Sequence, residues 1–505
     1  MHQLGDDTPL PHVILSDPDQ ITHPTCTPSK TKMVDNGTIT IEYLPNELLL
    51  HVFSFHRLLS SKGNRPSSAT WRWYILAHVC QRWRDLIFSS LHHLEAHLIV
   101  PRKSPKTPLD SWPSIPISVW YPSNGYMSKD QIADVVSALE HSDRIREIRL
   151  PMTMGRLFWT SIGNKSFPEL EHLTLCGPHS ITLPHEFFGG STPHPRLRSI
   201  LLIGFHLPAL PKLLLSSRGL VSLHLGSSTL TGKGFISPEV LSNALSSTTQ
   251  LEYLYITCGR FPVESHPELT STNSAPHNLV VLPALTYFRI GSFIKYLENF
   301  VSWINAPHLM KLIVDVDRSI FDVPQLSQFI SRTEHLSSLP LRTSISLNTF
   351  AFEIEHHFRR LSSPQEGYFR LMGDRTDYWQ VSQVVHICAQ LSPFAWSVKQ
   401  LKLSVSHLPP TLRGKTDPAP WLQLLSPYNN IEDIEIFGQG APCTGFACAL
   451  QQSTWEMAQE VLPALRVLRI HGFDFRSIRL MMLFAAARRL NSRPVIVYCL
   501  DEGAG

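Results

Sequence analysis

The chain has 505 residues, about three times the usual single-domain length, which excludes one compact core and points to several modules or an extended repeat array. Hydrophobic residues make up 43% and charged residues 17%, a balance that excludes disorder throughout. With 44 Lys+Arg against 41 Asp+Glu the net charge is +3, too small to mark a basic footprint for nucleic acid or an anionic membrane.

Residues 1–40 mix Pro, Asp, Thr, Ser and His without helical or strand periodicity and read as a disordered leader. They lack a basic start, and the longest uninterrupted apolar run in the chain is Leu480 to Ala487, so neither secretion nor membrane spanning is expected. The 8 cysteines are too sparse for a disulfide scaffold, and Cys443-x4-Cys448 has no second pair to complete a zinc site. Reduced thiols in an intracellular protein, cytoplasmic and/or nuclear, are the expectation.

Order begins near Ile41, and residues 41–100 predict two helices in a small domain. In the first, Pro45 suits the first turn and Glu47 the positive end of the dipole, while Leu44, Leu48 and Val52 with Leu49 and Phe53 form one wide apolar stripe. In the second, Ile75, Val79 and Leu86 with Leu76, Cys80, Trp83 and Ile87 form another, flanked by Arg82 and Arg84. A unit this small cannot hide so many large apolar side chains unaided. Either it packs on the rest of the chain or part of it is a docking surface. The proline-rich run from Pro101 to Pro116 then forbids a regular helix, and residues 101–118 read as a linker.

Residues 119–505 change pattern to apolar-x-x-apolar-x-apolar triplets. They are Leu170/Leu173/Leu175, Leu197/Ile200/Leu202, Leu220/Leu223/Leu225, Leu251/Leu254/Ile256, Leu285/Phe288/Ile290, Leu309/Leu312/Val314, Val398/Leu401/Leu403, Ile431/Ile434/Ile436 and Leu465/Leu468/Ile470. A proline two residues ahead of the first apolar position marks FPELEHLTL, HPRLRSILL, LPALTYFRI, APHLMKLIV and LPALRVLRI. In this reading Pro fixes an extended entry to a short strand, alternate residues point into the core, and parallel stacking of units buries what one strand cannot. The units resemble irregular leucine-rich repeats: successive early triplets are 23 to 34 residues apart, the usual Asn is absent, and Pro324 to Leu391 offers only Leu347/Phe350/Phe352. An ordinary α/β domain of alternating strands and helices is the alternative.

LPNELLLHVF, then ILAHVCQRWRDL and LHHLEAHL, resemble the F-box, whose pattern opens on Leu-Pro, an acidic residue and paired leucines and closes on Val-Cys-x-x-Trp. The stretch Ser60 to Thr70 departs from it by lengthening the connection between the two pieces. The resemblance implies a substrate receptor that docks on the Skp adaptor of a cullin-RING ubiquitin ligase while the repeats hold an unidentified protein target. Carried over, it places Leu44, Pro45, Leu48, Leu49 and Phe53 against the adaptor and makes Val79, Cys80 and Trp83 core and part of the interface. Plain core packing is the alternative for Leu44, Leu48 and Trp83.

Catalytic patterns are unsupported, and no cofactor or metal is expected. GSSTLTGKG at Gly226 to Gly234 has the wrong spacing for a phosphate loop and lacks its terminal Ser/Thr, and His185-Glu186 lacks the second His of a zinc helix. His93 and His97 have no evident third ligand, and Asp315-x-Asp317 reads as solvated strand-end carboxylates. Trp71, Trp73 and Trp83 beside Arg72, Arg82 and Arg84 suit a protein-docking helix as well as a stacking platform for single strands. The expected whole is an α+β chain, a small helical F-box-like module before an irregular leucine-rich-repeat α/β solenoid. Its rival is a repeat scaffold whose N-terminal helices only cap the solenoid.

Overall fold

The computed structural model describes residues 41–61, 76–90, 98–100, 115–120, 128–150, 165–182, 194–206, 210–226, 236–257, 279–317, 322–337, 340–347, 351–359, 366–374, 381–391, 398–405, 417–438, 444–455 and 461–500. A 3-10 turn, Ile41–Tyr43, leads into α1 (Asn46–Ser61) and α2 (Gln81–Ser89). Next come β1 (Leu98–Val100), β2 (Ile117–Trp120), α3 (Lys129–Glu140), β3 (Ile145–Leu150), β4 (His172–Thr182), β5 (Ser199–His206), α4 (Leu210–Ser216), β6 (Ser222–Gly226), α5 (Pro238–Leu245) and β7 (Tyr253–Thr257). They are followed by β8 (Val280–Val281), β9 (Tyr287–Phe293), α6 (Ile294–Trp303), β10 (Ile304–Asn305), β11 (Lys311–Asp317), α7 (Pro324–Arg332), β12 (Pro340–Leu347), β13 (Ala351–Arg359) and β14 (Glu366–Asp374). The chain closes with α8 (Val381–Gln390), β15 (Gln400–Val405), α9 (Ala419–Leu425), β16 (Asp433–Phe437), α10 (Thr444–Trp455), β17 (Val467–His471), α11 (Phe475–Leu490) and β18 (Ile496–Leu500).

One 16-stranded sheet runs in the order β1-β2-β3-β4-β5-β6-β7-β9-β11-β14-β13-β12-β15-β16-β17-β18, and β8 and β10 pair separately. Its first strand, Leu98–Val100, lies before residue 119, and its second begins at Ile117. Neighbours are parallel except where β13 meets β12 and β14. Strands in the body of the sheet bury alternate residues, as in β6, where Leu223 and Leu225 are buried and Ser222 and His224 are not; β2 instead buries Ile117, Ser118 and Val119 in succession, and the edge strand β18 buries none. These inward residues share one apolar core with helical residues such as Leu213, Leu241, Leu297, Phe300 and Phe329, so the helices cover one face of the sheet. Each fully buried leucine contributes roughly 1.5–3 kcal/mol, an amount available only once a neighbouring unit covers it.

The prolines ahead of the strands act differently from the extended entry expected. Leu170 donates its N–H to Phe167 O (3.2 Å), Leu197 to His194 (3.2 Å), Leu285 to Leu282 (3.3 Å), Leu309 to Ala306 (3.2 Å) and Leu465 to Leu462 (3.1 Å). Pro168, Pro195, Pro283, Pro307 and Pro463 therefore occupy the second position of a four-residue turn, where a φ near −65° is required. That turn drops the first apolar residue of each triplet into the core before the strand begins. Leu220 and Leu251 close the same turn without proline.

The segment from Pro324 to Leu391 holds a reversed meander rather than another triplet unit. β14 lies parallel to β11, β13 returns antiparallel, and β12 lies parallel to β15. Leu347 ends β12 and Phe352 belongs to β13, so they lie on opposite sides of a chain reversal; Phe350 lies outside the described residues. The meander's inward side is lined by Thr343, Ile345, Leu347, Phe352, Ile354, His356, Phe358, Phe369 and Leu371. His356 is buried, with Nδ1 2.8 Å from Thr343 Oγ1 and its ring stacked 5.7 Å from Phe369; burial lowers its pKa to about 4. Gln390 of α8 joins that helix to the start of α7, accepting from Val323 N (2.7 Å) through Oε1 and from Ser327 Oγ (3.0 Å) through its carbonyl.

Candidate functional site

The two N-terminal helices are held by a clamp at one end. Arg82, in the first turn of α2, donates through Nη2 to Leu44 O (2.6 Å) and Asn46 Oδ1 (2.9 Å), and through Nε to the same Oδ1 (3.3 Å). The expected second helix is broken between Leu76 and Gln81 rather than continuous, and Ile75 lies outside the described residues. Val79 donates to Leu76 O (3.2 Å) in a turn, Cys80 is extended (φ −156, ψ 169), and Arg84 Nε takes Ala77 O (3.0 Å). Arg82 thus brings the turn Leu76–Cys80 to the N-terminal end of α1.

Between the helices lies a small core of Leu49, Phe53, Ala77, Leu86, Ile87 and Ile115, with Leu44, Leu50, Leu76, Trp83 and Phe88 packed around it. Phe53 and Trp83 meet at 4.8 Å and 60°. Among the described residues the cluster is separate from the sheet's core and includes none beyond Ile115. These helices satisfy their inner stripe within the module.

The outer side of α1 is different. Leu48, Val52 and Phe55 are 49%, 45% and 66% exposed, and their i, i+4, i+7 spacing puts them on one face. Tyr43 (77%) and Ile41 (47%) precede this stripe in sequence, and Val79 (57%) lies in the turn that Arg82 draws to the same end.

The residues singled out from sequence therefore divide. Pro45, Leu48, Val79 and Cys80 are exposed; Leu44 and Trp83 are half-buried; Leu49 and Phe53 are buried in the module core. Sequence reasoning did not single out Val52, Phe55 or Tyr43 as contacts, nor Arg82 as a clamp. Val52 was visible as part of an apolar stripe, but only the position of the second helix shows which side of α1 stays open.

The F-box-like family matches residues 41–93, the stretch containing both helices, the clamp and the open stripe. No curated protein matches the chain. An F-box-like domain is an interaction module rather than a catalytic one, and an apolar stripe outside a self-contained helical core is the physical form of such a module.

The catalytic and metal candidates yield no comparable arrangement. Asp315 is engaged by Arg289, whose Nε and Nη2 lie 2.9 and 2.8 Å from Oδ2. His93, His97, His185, Glu186, Cys443, Trp71, Arg72, Trp73 and the loop after Gly226 lie outside the described residues. His308, Glu334 and His335 place one potential ligand atom each within 4.8 Å of the others, a cluster no local sequence spacing announces. It lies at the surface, where His308 Nδ1 stands 3.8 Å from Glu334. No described helix is long and apolar enough to cross a membrane.

Proposed function

We propose that this chain is the substrate-recognition subunit of a Skp–cullin–F-box type ubiquitin ligase, acting in the cytoplasm and/or nucleus. The observation that carries the reading is the coincidence of the F-box-like match at 41–93 with the open stripe Leu48–Val52–Phe55 on α1. Leu48, Pro45 and Val79, joined by Val52 and Phe55, contact the Skp adaptor. Leu49, Phe53 and Trp83 support that surface from beneath, with Leu44 and Cys80 at its margin. Beyond the module, the turn-and-strand units form an irregular leucine-rich-repeat solenoid that holds the protein target. The chain contributes proximity, raising the effective concentration of a target lysine at a ubiquitin carrier borne by other subunits.

The scaffold-with-cap alternative requires the helices to bury their stripe on the sheet. The separate core ending at Ile115 and the open outer stripe speak against it. The test is reconstitution: the full chain mixed with purified Skp adaptor and cullin–RING subunits is expected to co-elute as one complex, through the adaptor alone. A folded chain eluting by itself contradicts the proposal.

A further inference from the structure

The sheet face turned away from the helices carries side chains in rows fixed by strand register. One row reads Tyr253, Tyr287, Lys311, Tyr368, His357 across β7, β9, β11, β14 and β13. The next reads His224, Tyr255, Arg289, Ile313, Arg370 across β6, β7, β9, β11 and β14. Aromatic rings on this face touch one another: His224 and Tyr255 at 4.0 Å, Tyr253 and Tyr287 at 6.2 Å, His357 and Tyr368 at 5.2 Å. So many rings beside water are a cost to a face with nothing to bind, and tyrosines are enriched where proteins recognise one another.

The cations on this face are of two kinds. Arg149, Arg289, Arg342, Arg370 and Arg469 each face a carboxylate: Glu147, Asp315, Glu435, Glu353 and Asp433 respectively. Lys402 has a ring instead, standing 4.4 Å above Phe437. Lys311 stands between two rings, its Nζ 5.5 Å from the centre of Tyr287 and 5.2 Å from that of Tyr368, and among the described residues no carboxylate lies within salt-bridge reach. It is exposed. Cation–π contact holds the ammonium in place without neutralising it, so its charge remains available to an incoming anion.

We propose that this stripe is a recognition site for an acidic peptide segment of the target protein, one Asp or Glu carboxylate pairing with Lys311 and flanking apolar or aromatic side chains lying on Tyr253, Tyr287 and Tyr368. Charge complementarity selects this occupant. Among the described residues of β9, β11 and β14, Lys311 has no carboxylate partner, while Arg289 is matched by Asp315 and Arg370 by Glu353 and Glu355, so this stripe fits one carboxylate, whereas a polyanion such as single-stranded nucleic acid would be repelled by those acids. The inference rests on the target-receptor reading only in that the partner is a protein; the patch itself is independent of adaptor docking.

The test uses the full chain. A phage-displayed random dodecapeptide library is panned over the wild-type protein with counter-selection on Lys311→Glu, and the most enriched peptide is synthesised and titrated. Enrichment of Asp or Glu beside aromatic or aliphatic residues is expected. The synthetic peptide should lose about tenfold or more in affinity on Lys311→Met, which keeps the apolar stem between the rings, and on Tyr287→Ala, and should keep most of it on Lys311→Arg and Lys402→Met. Skp-adaptor binding should be unchanged in every one of these variants, so a failure of the stripe is distinguishable from a failure of the F-box reading. The proposal is overturned by a panning that returns no acidic consensus, by a peptide that binds Lys311→Met as well as wild type, or by oligo-dT competing the peptide away at low occupancy.

Discussion

Arg144 holds the main-chain carbonyl of Ile115 through two bonds, 3.2 Å from Nε and 2.9 Å from Nη2, while the Ile115 side chain is buried in the core of the N-terminal helical module. Arg144 ends the 3-10 turn that leads into β3, and Ile115 stands two residues ahead of β2. One residue therefore anchors the module through its side chain and the sheet through its backbone. Arg144→Ala should cost about 1–3 kcal/mol locally, because a part-buried carbonyl loses a charged donor. Hydrogen exchange should accelerate in residues 115–120 and leave β9 and β11 unchanged.

Substitutions in α1 should separate by side. Leu49→Ala or Phe53→Ala removes module core and should lower stability by about 2–5 kcal/mol. Leu48→Ala and Val52→Ala leave exposed positions and should change stability by no more than about 0.5 kcal/mol. Chemical denaturation of the full chain, followed by tryptophan fluorescence, distinguishes the two pairs.

Glu298 on α6 accepts from the N–H groups of Gln325 (2.8 Å) and Leu326 (3.0 Å) in the first turn of α7. Burial outweighs these bonds and, with some help from Asp322, pushes its carboxyl up to about 7. Because this lies above the unfolded value of 4.5, the folded state binds the proton more tightly. The stability Glu298 contributes is complete below that value and is lost as pH rises through about 7. At roughly 1.4 kcal/mol per unit of pH, the wild type should lose up to about 3 kcal/mol relative to Glu298→Gln between about pH 5 and about pH 8. His356, held neutral by burial, shifts stability in the opposite sense in mild acid, so the difference between the two proteins is the quantity to measure.

Gly373 faces Phe352 across the β13–β14 pair, and a Cβ there would clash with the Phe352 ring. Gly373→Ala should destabilise by about 1–3 kcal/mol through overpacking, and Phe352→Leu in the same chain should recover part of that loss. A strictly additive double mutant would contradict the antiparallel register of the meander.

Much of this fold was legible because the triplets record a physical necessity. Each of the nine predicted triplets lies at a strand, since a unit that drops one apolar residue from a turn and points two more inward must show that spacing. The meander was not legible. Its strands alternate apolar and polar residues as any antiparallel pair does, and β12 and β14 find their partners through a reversal of order that no local pattern encodes. Ile145, Ile148 and Leu150 in β3 carry the same triplet, obscured by the charges between them. In the candidate site, the sequence revealed two apolar stripes but not which was open: Leu48 and Leu49 are neighbours in the chain, about 100° apart around the helix, and only Leu49 is buried. The Tyr–Lys stripe was invisible for the same reason, because register alone brings Tyr287, Lys311 and Tyr368 together.

The central claim is that the outer stripe of α1 docks on a Skp adaptor, and titration calorimetry of the full chain with the purified adaptor tests it most directly. A one-to-one complex is predicted for the wild type, with Leu48→Ala/Val52→Ala losing roughly 30-fold or more, about 2 kcal/mol, at an unchanged melting temperature. A folded wild-type chain that shows no binding, or a double variant that binds as tightly as wild type, would contradict the account.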